Sequence, residues 1–253
     1  MKIKHFIVLA IILCIVSSCA HKTWTISNAS SGKIAIDQTT DSLQDTTYIA
    51  YLAPIKLKVG AQMNRVIGVA SETMRGHEPE SLLSNFTADV YRQTASNYLN
   101  ENVAIAIVNL GGLRTVVPAG NITVGKIFEL MPFENELVIL WLRGDKLNEL
   151  LQYFASMGGE GVSGLRMKIE NNKAVDITIN GYPLEADKLY SIATNDYLAG
   201  GNDKMTQLAK HEKRVNTGLK IRDILLDFIK NETKKGNNIQ SKLDGRIAIT
   251  PNP

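Results

Sequence analysis

The chain has 253 residues, with 28 Lys+Arg against 25 Asp+Glu and a formal net charge of +3. Hydrophobic residues make up 44% and charged residues 21%, which excludes wholesale disorder and supplies material for a core. So balanced a charge excludes binding of a nucleic-acid polymer through bulk field.

Residues 1–18 read as a secretory signal. Lys2 and Lys4 make a basic start, Phe6 to Val16 is an apolar run, and Ser17, Ser18 and Cys19 follow. The run is short of the roughly 20 apolar residues that span a bilayer. Val16-Ser17-Ser18-Cys19 resembles a bacterial lipobox, which implies cleavage before Cys19 and lipidation of its thiol; a plain signal with an incidental cysteine is the alternative. The expectation is a membrane-anchored lipoprotein of the cell envelope. No acidic cluster follows Ala20, which favours the periplasmic side. Losing Lys2 and Lys4 lowers the +3 to +1. Cys14 and Cys19 are the two cysteines, so the chain beyond Cys19 offers no disulfide, thiolate metal site or cysteine nucleophile.

Residues 19–47 are expected to be a tether, since ten of the 25 residues from Thr23 to Thr47 are Ser or Thr. The alternation Lys33-Ile34-Ala35-Ile36-Asp37 is compatible with one edge strand. A globular domain is predicted over 48–253. A weakly periodic helix precedes Gly60. Leu82, Leu83, Phe86, Val90, Tyr91, Ala95, Tyr98 and Leu99 recur at helical spacing, with Pro79 at the start. Val103 to Val108 is continuously apolar, as a central strand is, and Leu137 to Leu142 is similar. Leu147, Leu150, Leu151 and Phe154 predict a second helix, with Asp145 placed to cap it. Two alternating runs, Leu165–Ile169 and Val175–Ile179, flank Asn-Asn-Lys as a hairpin does, and Asn180-Gly181 supplies another turn. Ile221, Ile224, Leu225, Phe228 and Ile229 predict a third helix behind Thr217, with Lys220, Arg222 and Lys230 on its wet side. Asn231 to Lys242 reads as a mobile surface segment. Helices mixed with buried strands and hairpins predict a single α+β domain with a mixed sheet flanked by helices.

The sequence holds no Walker loop, no glycine fingerprint between strand and helix, and no Gly-x-Ser-x-Gly elbow. Beyond the tether only His77 and His211 remain, too few for a site that holds two metals with several histidines. Three glycine-rich or aromatic loops are left: Asn109-Leu110-Gly111-Gly112-Leu113-Arg114, Pro132-Phe133-Glu134-Asn135, and Thr194 to Asp203. Each is adjacent to a predicted strand, where ligands of α/β sheets tend to bind. Gly111 and Gly112 free backbone N–H groups to face a ligand, and Arg114 suits an anionic or planar group. Phe133 and Tyr197, if they meet across a cleft, sandwich a planar base.

Taken together these loops resemble the C-terminal domain of the 5'-nucleotidase and UDP-sugar hydrolase family. The resemblance runs from about Ala53 to Asp203. It rests on Asn-x-Gly-Gly-x-Arg at 109–114, Gly120-x-Ile122-Thr123, Pro132-Phe133-x-Asn135 and Arg143-Gly144-Asp145-x-Leu147. Val162-Ser163-Gly164, Gly181-x-Pro183-Leu184 and the Thr194 to Asp203 element complete it. It implies that Phe133 and Tyr197 stack on a base, that Asn135 bonds the base edge, and that Arg114 helps hold the substrate. It also implies an acidic contact to the ribose, for which Gly200-Gly201-Asn202-Asp203 offers Asn202 or Asp203. Arg75 is the nearest match to an arginine placed ahead of the first long helix.

Members of that family normally begin with a metallophosphatase domain that carries two metal ions and a catalytic Asp-His pair. Here the residues ahead of the resemblance read as signal and tether. The expectation is therefore a nucleotide- or nucleoside-recognising half of a split 5'-nucleotidase-type phosphohydrolase, with no catalytic residue, metal ligand or cofactor in this chain. Divalent metals are expected only in a separately encoded metallophosphatase partner. A non-catalytic nucleotide-binding lipoprotein is the alternative, and a fold that has lost its ligand is a third reading.

Overall fold

The computed structural model describes residues 24–40 and 44–250. Cys19, the expected lipidation site, and the signal segment lie outside the described residues. The chain divides into two units, residues 1–50 and 51–253. In the first, Lys33 to Asp37 forms no strand, contrary to the alternation; Ile34 and Ile36 are fully exposed. Two apolar side chains give too small a face to bury, and Asp37 turns the chain locally. Its carboxylate accepts the Thr39 N–H at 2.9 Å and the Thr39 hydroxyl at 2.6 Å. Helix α1 (Thr46–Met63) buries none of its residues, and no helix among the described residues is long and apolar enough to cross a membrane.

The second unit is built on a mixed five-stranded sheet in the order β10-β4-β9-β2-β5. Its strands are β2 (Ile105–Val108), β4 (Glu136–Arg143), β5 (Gly161–Ser163), β9 (Leu189–Asn195) and β10 (Lys213–Lys220). β2 and β9 run parallel; the other neighbours are antiparallel. Both faces of the sheet are covered, which is why β2 is apolar at every position. Ala106, Val108, Leu137, Ile139 and Ala193 face one core, with helices α2 (Leu82–Leu99), α3 (Val124–Leu130) and α6 (Ile221–Lys234). Ile105, Ile107, Val138, Leu140 and Ile192 face the other, with α4 (Gly144–Ser156). That second core also takes Leu165, Met167 and Ile169 of β6 (Leu165–Glu170) and Ala174 and Ile179 of β7 (Lys173–Ile179). β6 and β7 belong to a four-stranded sheet with β8 (Tyr182–Pro183) and β11 (Ile247–Ile249), in the order β11-β6-β7-β8. β1 (Val66–Ala70) and β3 (Gly120–Thr123) pair separately.

Local chemistry explains the boundaries. Ser81 caps α2 in a reciprocal box with Ser84, at 3.2 and 3.3 Å. The hairpin turns at Asn171 and Asn172, both left-handed, so Glu170 pairs with Lys173. Asn180-Gly181 makes the second such turn. Asp145 does not cap α4. Arg143 holds the cap position, two residues earlier, and the Gly144 and Asp145 N–H groups donate to the carbonyls of Lys188 and Ala186, each at 2.9 Å. Residue 144 is glycine because a Cβ there would lie 2.0 Å from the Glu185 carbonyl oxygen.

Two further expectations fail. Arg222 is not on the wet side of α6 but buried, because its guanidinium finds partners in another loop. The segment from Asn231 to Lys242 is pinned to the domain. Ile239 is buried at 2% exposure, its N–H donates to Val69 O at 2.7 Å, and its carbonyl accepts from Ser71 N at 2.9 Å. A lysine- and asparagine-rich stretch hid one anchoring isoleucine.

Candidate functional site

Sheet topology gathers the candidate loops. Because β2 and β9 are parallel and β4 is antiparallel to β9, the ends of β2 and β9 and the start of β4 share one edge; Leu137 stands opposite Asn195. The end of β10 and the start of β5 arrive there too, through Lys220↔Glu136 and Val108↔Gly161. Five strands therefore deliver Asn109–Arg114, residues 131–135, residues 196–203, Glu160 and residues 220–222 to one place.

A cavity of about 730 Å³ opens at this edge. Phe133 and Tyr197 both line it, at 41% and 43% exposure. The rings are neither on opposite sides of the domain nor sealed in its interior. Gly111, Gly112, Arg114, Asn135 and Asp203 line the same cavity. The Arg114 guanidinium sits 5.3 Å from the Phe133 ring centroid, a cation–π contact, and its Nη1 donates to Gly111 O at 3.1 Å. Tyr91, Met131 and Ile221 are buried in the lining, as are Asn109 and Asn195.

Asp203 is the hub of the polar wall. Its Oδ1 accepts from the Tyr197 hydroxyl at 2.8 Å and its Oδ2 from Asn109 Nδ2 at 2.7 Å. The carboxylate thus ties two of the three loops together, and its hydrogen bond holds the Tyr197 phenol above its ordinary pKa. Asp203 adopts a left-handed backbone, φ 52°, a conformation non-glycine residues occupy when their surroundings impose it. Gly112 makes room for Asn109: a Cβ there would lie 2.8 Å from Asn109 Oδ1. The Gly112 N–H is spent on Asn109 O at 3.0 Å, so of the two glycines only Gly111 is left without such a turn bond. Asn109 is buried, and Leu110 N–H donates to Glu160 at 2.8 Å. Burial pushes the Glu160 carboxyl up to about 7, against the lowering effect of the Leu110 and Gly161 N–H groups.

The orientation of Asn135 follows from its neighbour. Its Nδ2 donates to Asp196 Oδ1 at 2.8 Å, which leaves the amide oxygen as an acceptor. Asn195 caps the short helix α5 (Asp196–Ala199) through Leu198 N at 2.8 Å, setting the angle at which Tyr197 leaves the chain.

Two candidates fall outside this lining. Arg75 is exposed and does not line the cavity; its carbonyl accepts from Leu83 N. Asn202 folds back to give its Nδ2 to Tyr197 O at 2.7 Å, so of the pair Asn202 and Asp203 only Asp203 faces the cavity. Sequence reasoning missed Asp196, Glu160 and Arg222, each of which acts on a loop far away in the chain. Among the described residues, no group of three or more His, Cys, Asp or Glu side chains is placed to hold a metal ion.

A family model described as the 5'-nucleotidase C-terminal domain matches residues 59–210, more than half of the chain. The chain belongs to the 5'-nucleotidase C-terminal domain family. A 5'-nucleotidase of Vibrio parahaemolyticus is 24% identical over 196 residues, covering 75% of this chain and 35% of that protein. The trifunctional nucleotide phosphoesterase protein YfkN of Bacillus subtilis is 29% identical over 202 residues, 71% of this chain and 13% of its own length. Among solved structures, a 5'-nucleotidase precursor of Thermus thermophilus superimposes with a TM-score of 0.70 at 28% identity, covering 83% of this chain and 44% of that one. The chain spans about a third of the length of the curated 5'-nucleotidases it matches. The matched range contains the three loops, and residues 220–222 lie beyond it.

Proposed function

We propose that this chain is the nucleoside-recognising half of a split 5'-nucleotidase-type phosphohydrolase. On this reading a base enters the slot between Phe133 and Tyr197, Asp203 accepts from the ribose hydroxyls, and Arg114 supports the ring and the anionic side of the substrate. The free amide oxygen of Asn135 favours a base that offers an amino group. The observation that carries the reading is that two half-exposed rings, from loops more than sixty residues apart, line one cavity with Asp203 and Asn135 beside them. Base–aromatic stacking contributes about 1–3 kcal/mol per base, enough to make binding measurable.

The described residues do not fit a metal site, so on this reading the metals and the attacking hydroxide come from a separately encoded metallophosphatase, while this chain positions the nucleoside. Anchoring at Cys19 in the cell envelope, on the periplasmic side, belongs to the same proposal. Calorimetry with adenosine, AMP and UDP-glucose tests the binding half: heat with any of them, with affinity weakened in Phe133→Ala, is expected, and no heat with all three refutes it. A phosphatase assay on the purified chain tests the division of labour. Chelator-sensitive hydrolysis by the chain alone contradicts it, and hydrolysis that appears only when a co-purifying metallophosphatase is added supports it. Nucleotide binding with no such partner in a pull-down leaves the non-catalytic binding lipoprotein.

A further inference from the structure

We infer that Lys220, Ile221 and Arg222, at the junction of β10 and α6, form a clamp that holds the Phe133 loop in position, with Arg222 as its principal positioning residue. The inference rests on the nucleoside reading of the slot and extends it to residues that do not share its motifs.

Residues 131–135 have no regular hydrogen-bonded structure of their own between α3 and β4, and Phe133 is too exposed for core packing to fix it. Beyond the buried Met131 and the Asn135 amide bond to Asp196, the loop is held through its carbonyl groups. Ile221 N–H donates to Asn135 O at 2.9 Å. Lys220 Nζ donates to Glu134 O at 3.0 Å and to the Glu136 carboxylate at 2.9 Å. Arg222 Nη1 reaches Phe133 O at 3.3 Å and Met131 O at 3.5 Å, while its Nη2 pairs with the Glu134 carboxylate. The guanidinium lies 4.1 Å from the Phe128 ring centroid, a cation–π contact. Three consecutive residues therefore contact every residue of the loop except Pro132, and they do so through the backbone on both sides of the stacking ring.

The chemistry of the clamp requires arginine. A buried guanidinium, 10% exposed at its side chain, serves two carbonyls, one carboxylate and one aromatic face at once because its donors form a rigid planar fork. A lysine at the same position has three donors on one compact ammonium, without the planar fork that reaches two carbonyls and a carboxylate while lying against a ring. The arrangement also accounts for a charge placed against expectation inside α6, where the hydrophobic stripe leaves no need for one. Arg222 Nε is buried and without a partner, a polar cost that the fold tolerates at this position.

The test uses the whole chain and the pair Arg222→Lys and Phe133→Ala. Adenosine binding to Arg222→Lys is expected to weaken about tenfold relative to the parent. In the Phe133→Ala background the same change is expected to cost less than about twofold, since a residue that acts through the ring has nothing left to position. Equal losses in both backgrounds, or none in either, would overturn the inference. Hydrogen exchange in the ligand-free protein gives a readout independent of binding. Amides of residues 131–136 are expected to exchange faster in Arg222→Lys than in the parent while the five-stranded sheet is unchanged; unaltered exchange there refutes the clamp. If Arg222→Lys does not melt cooperatively, Lys220→Met, which removes one partly exposed anchor, is expected to weaken adenosine about threefold and to loosen the same amides. Parent protein that melts cooperatively yet takes up none of adenosine, AMP and UDP-glucose would defeat the nucleoside reading, and the exchange comparison would still decide the clamp.

Discussion

Replacing Glu160 with glutamine is expected to change how stability depends on pH. The carboxyl of Glu160 accepts from Leu110 N–H at the Asn109–Gly112 turn, near the negative charges of Glu78 and Asp203, and its partial burial pushes it up to about 7 from the usual 4.5. An acid raised in the folded state keeps its proton on folding through that window, so the folded protein binds more protons than the unfolded chain between pH 4.5 and 7. Stability of the parent therefore falls as pH rises through the window. At about 1.4 kcal/mol per pH unit, the gap sets a ceiling of about 3 kcal/mol. Below pH 4.5 the group is protonated in both states, and the difference between parent and Glu160→Gln is constant. Urea midpoints from pH 4 to 8.5 measure it. The glutamine variant is expected to gain about 1–3 kcal/mol on the parent between the two ends of the range. A difference that stays flat across the range would refute the burial argument.

Other expectations are simpler. Phe133→Ala should weaken nucleoside binding by about 1–3 kcal/mol with little change in melting temperature, since the ring is 41% exposed; calorimetry and a thermal melt check both. Ser81→Ala removes one side of the capping box on α2 and should cost about 1 kcal/mol of stability by urea unfolding. Ile239→Ala should cost about 2–5 kcal/mol, whereas a segment that carried no structure would tolerate the change within about 0.5 kcal/mol.

Much of this molecule is legible in its sequence because its signals are periodic or local. The apolar run before Asn109 reads as a two-face-buried strand, and β2 lies between β9 and β5. Asn171-Asn172 reads as a hairpin because asparagine tolerates the left-handed backbone the turn needs. The helical stripe from Leu82 to Leu99 coincides with α2. What escapes is non-local. Arg222 has the neighbours of a surface residue in sequence, and only the meeting of α6 with the loop before β4 explains its burial. Asp145 has the composition of a cap, but the carbonyls of Ala186 and Lys188 already serve that helix end. β1 and α3 are too short to carry a period. In the site the three loops were readable as loops, and the convergence of Phe133, Tyr197 and Asp203 required the strand order. Arg75 and Asn202 show the converse, residues of suitable chemistry whose side chains point to other partners or to solvent.

The most direct measurement is a crystal structure of this chain grown with adenosine. The account predicts the purine ring between Phe133 and Tyr197, with a ribose hydroxyl on the Asp203 carboxylate and the Asn135 amide oxygen at the base edge. Adenosine seated elsewhere on the domain, with those two rings unchanged and nothing between them, would contradict it.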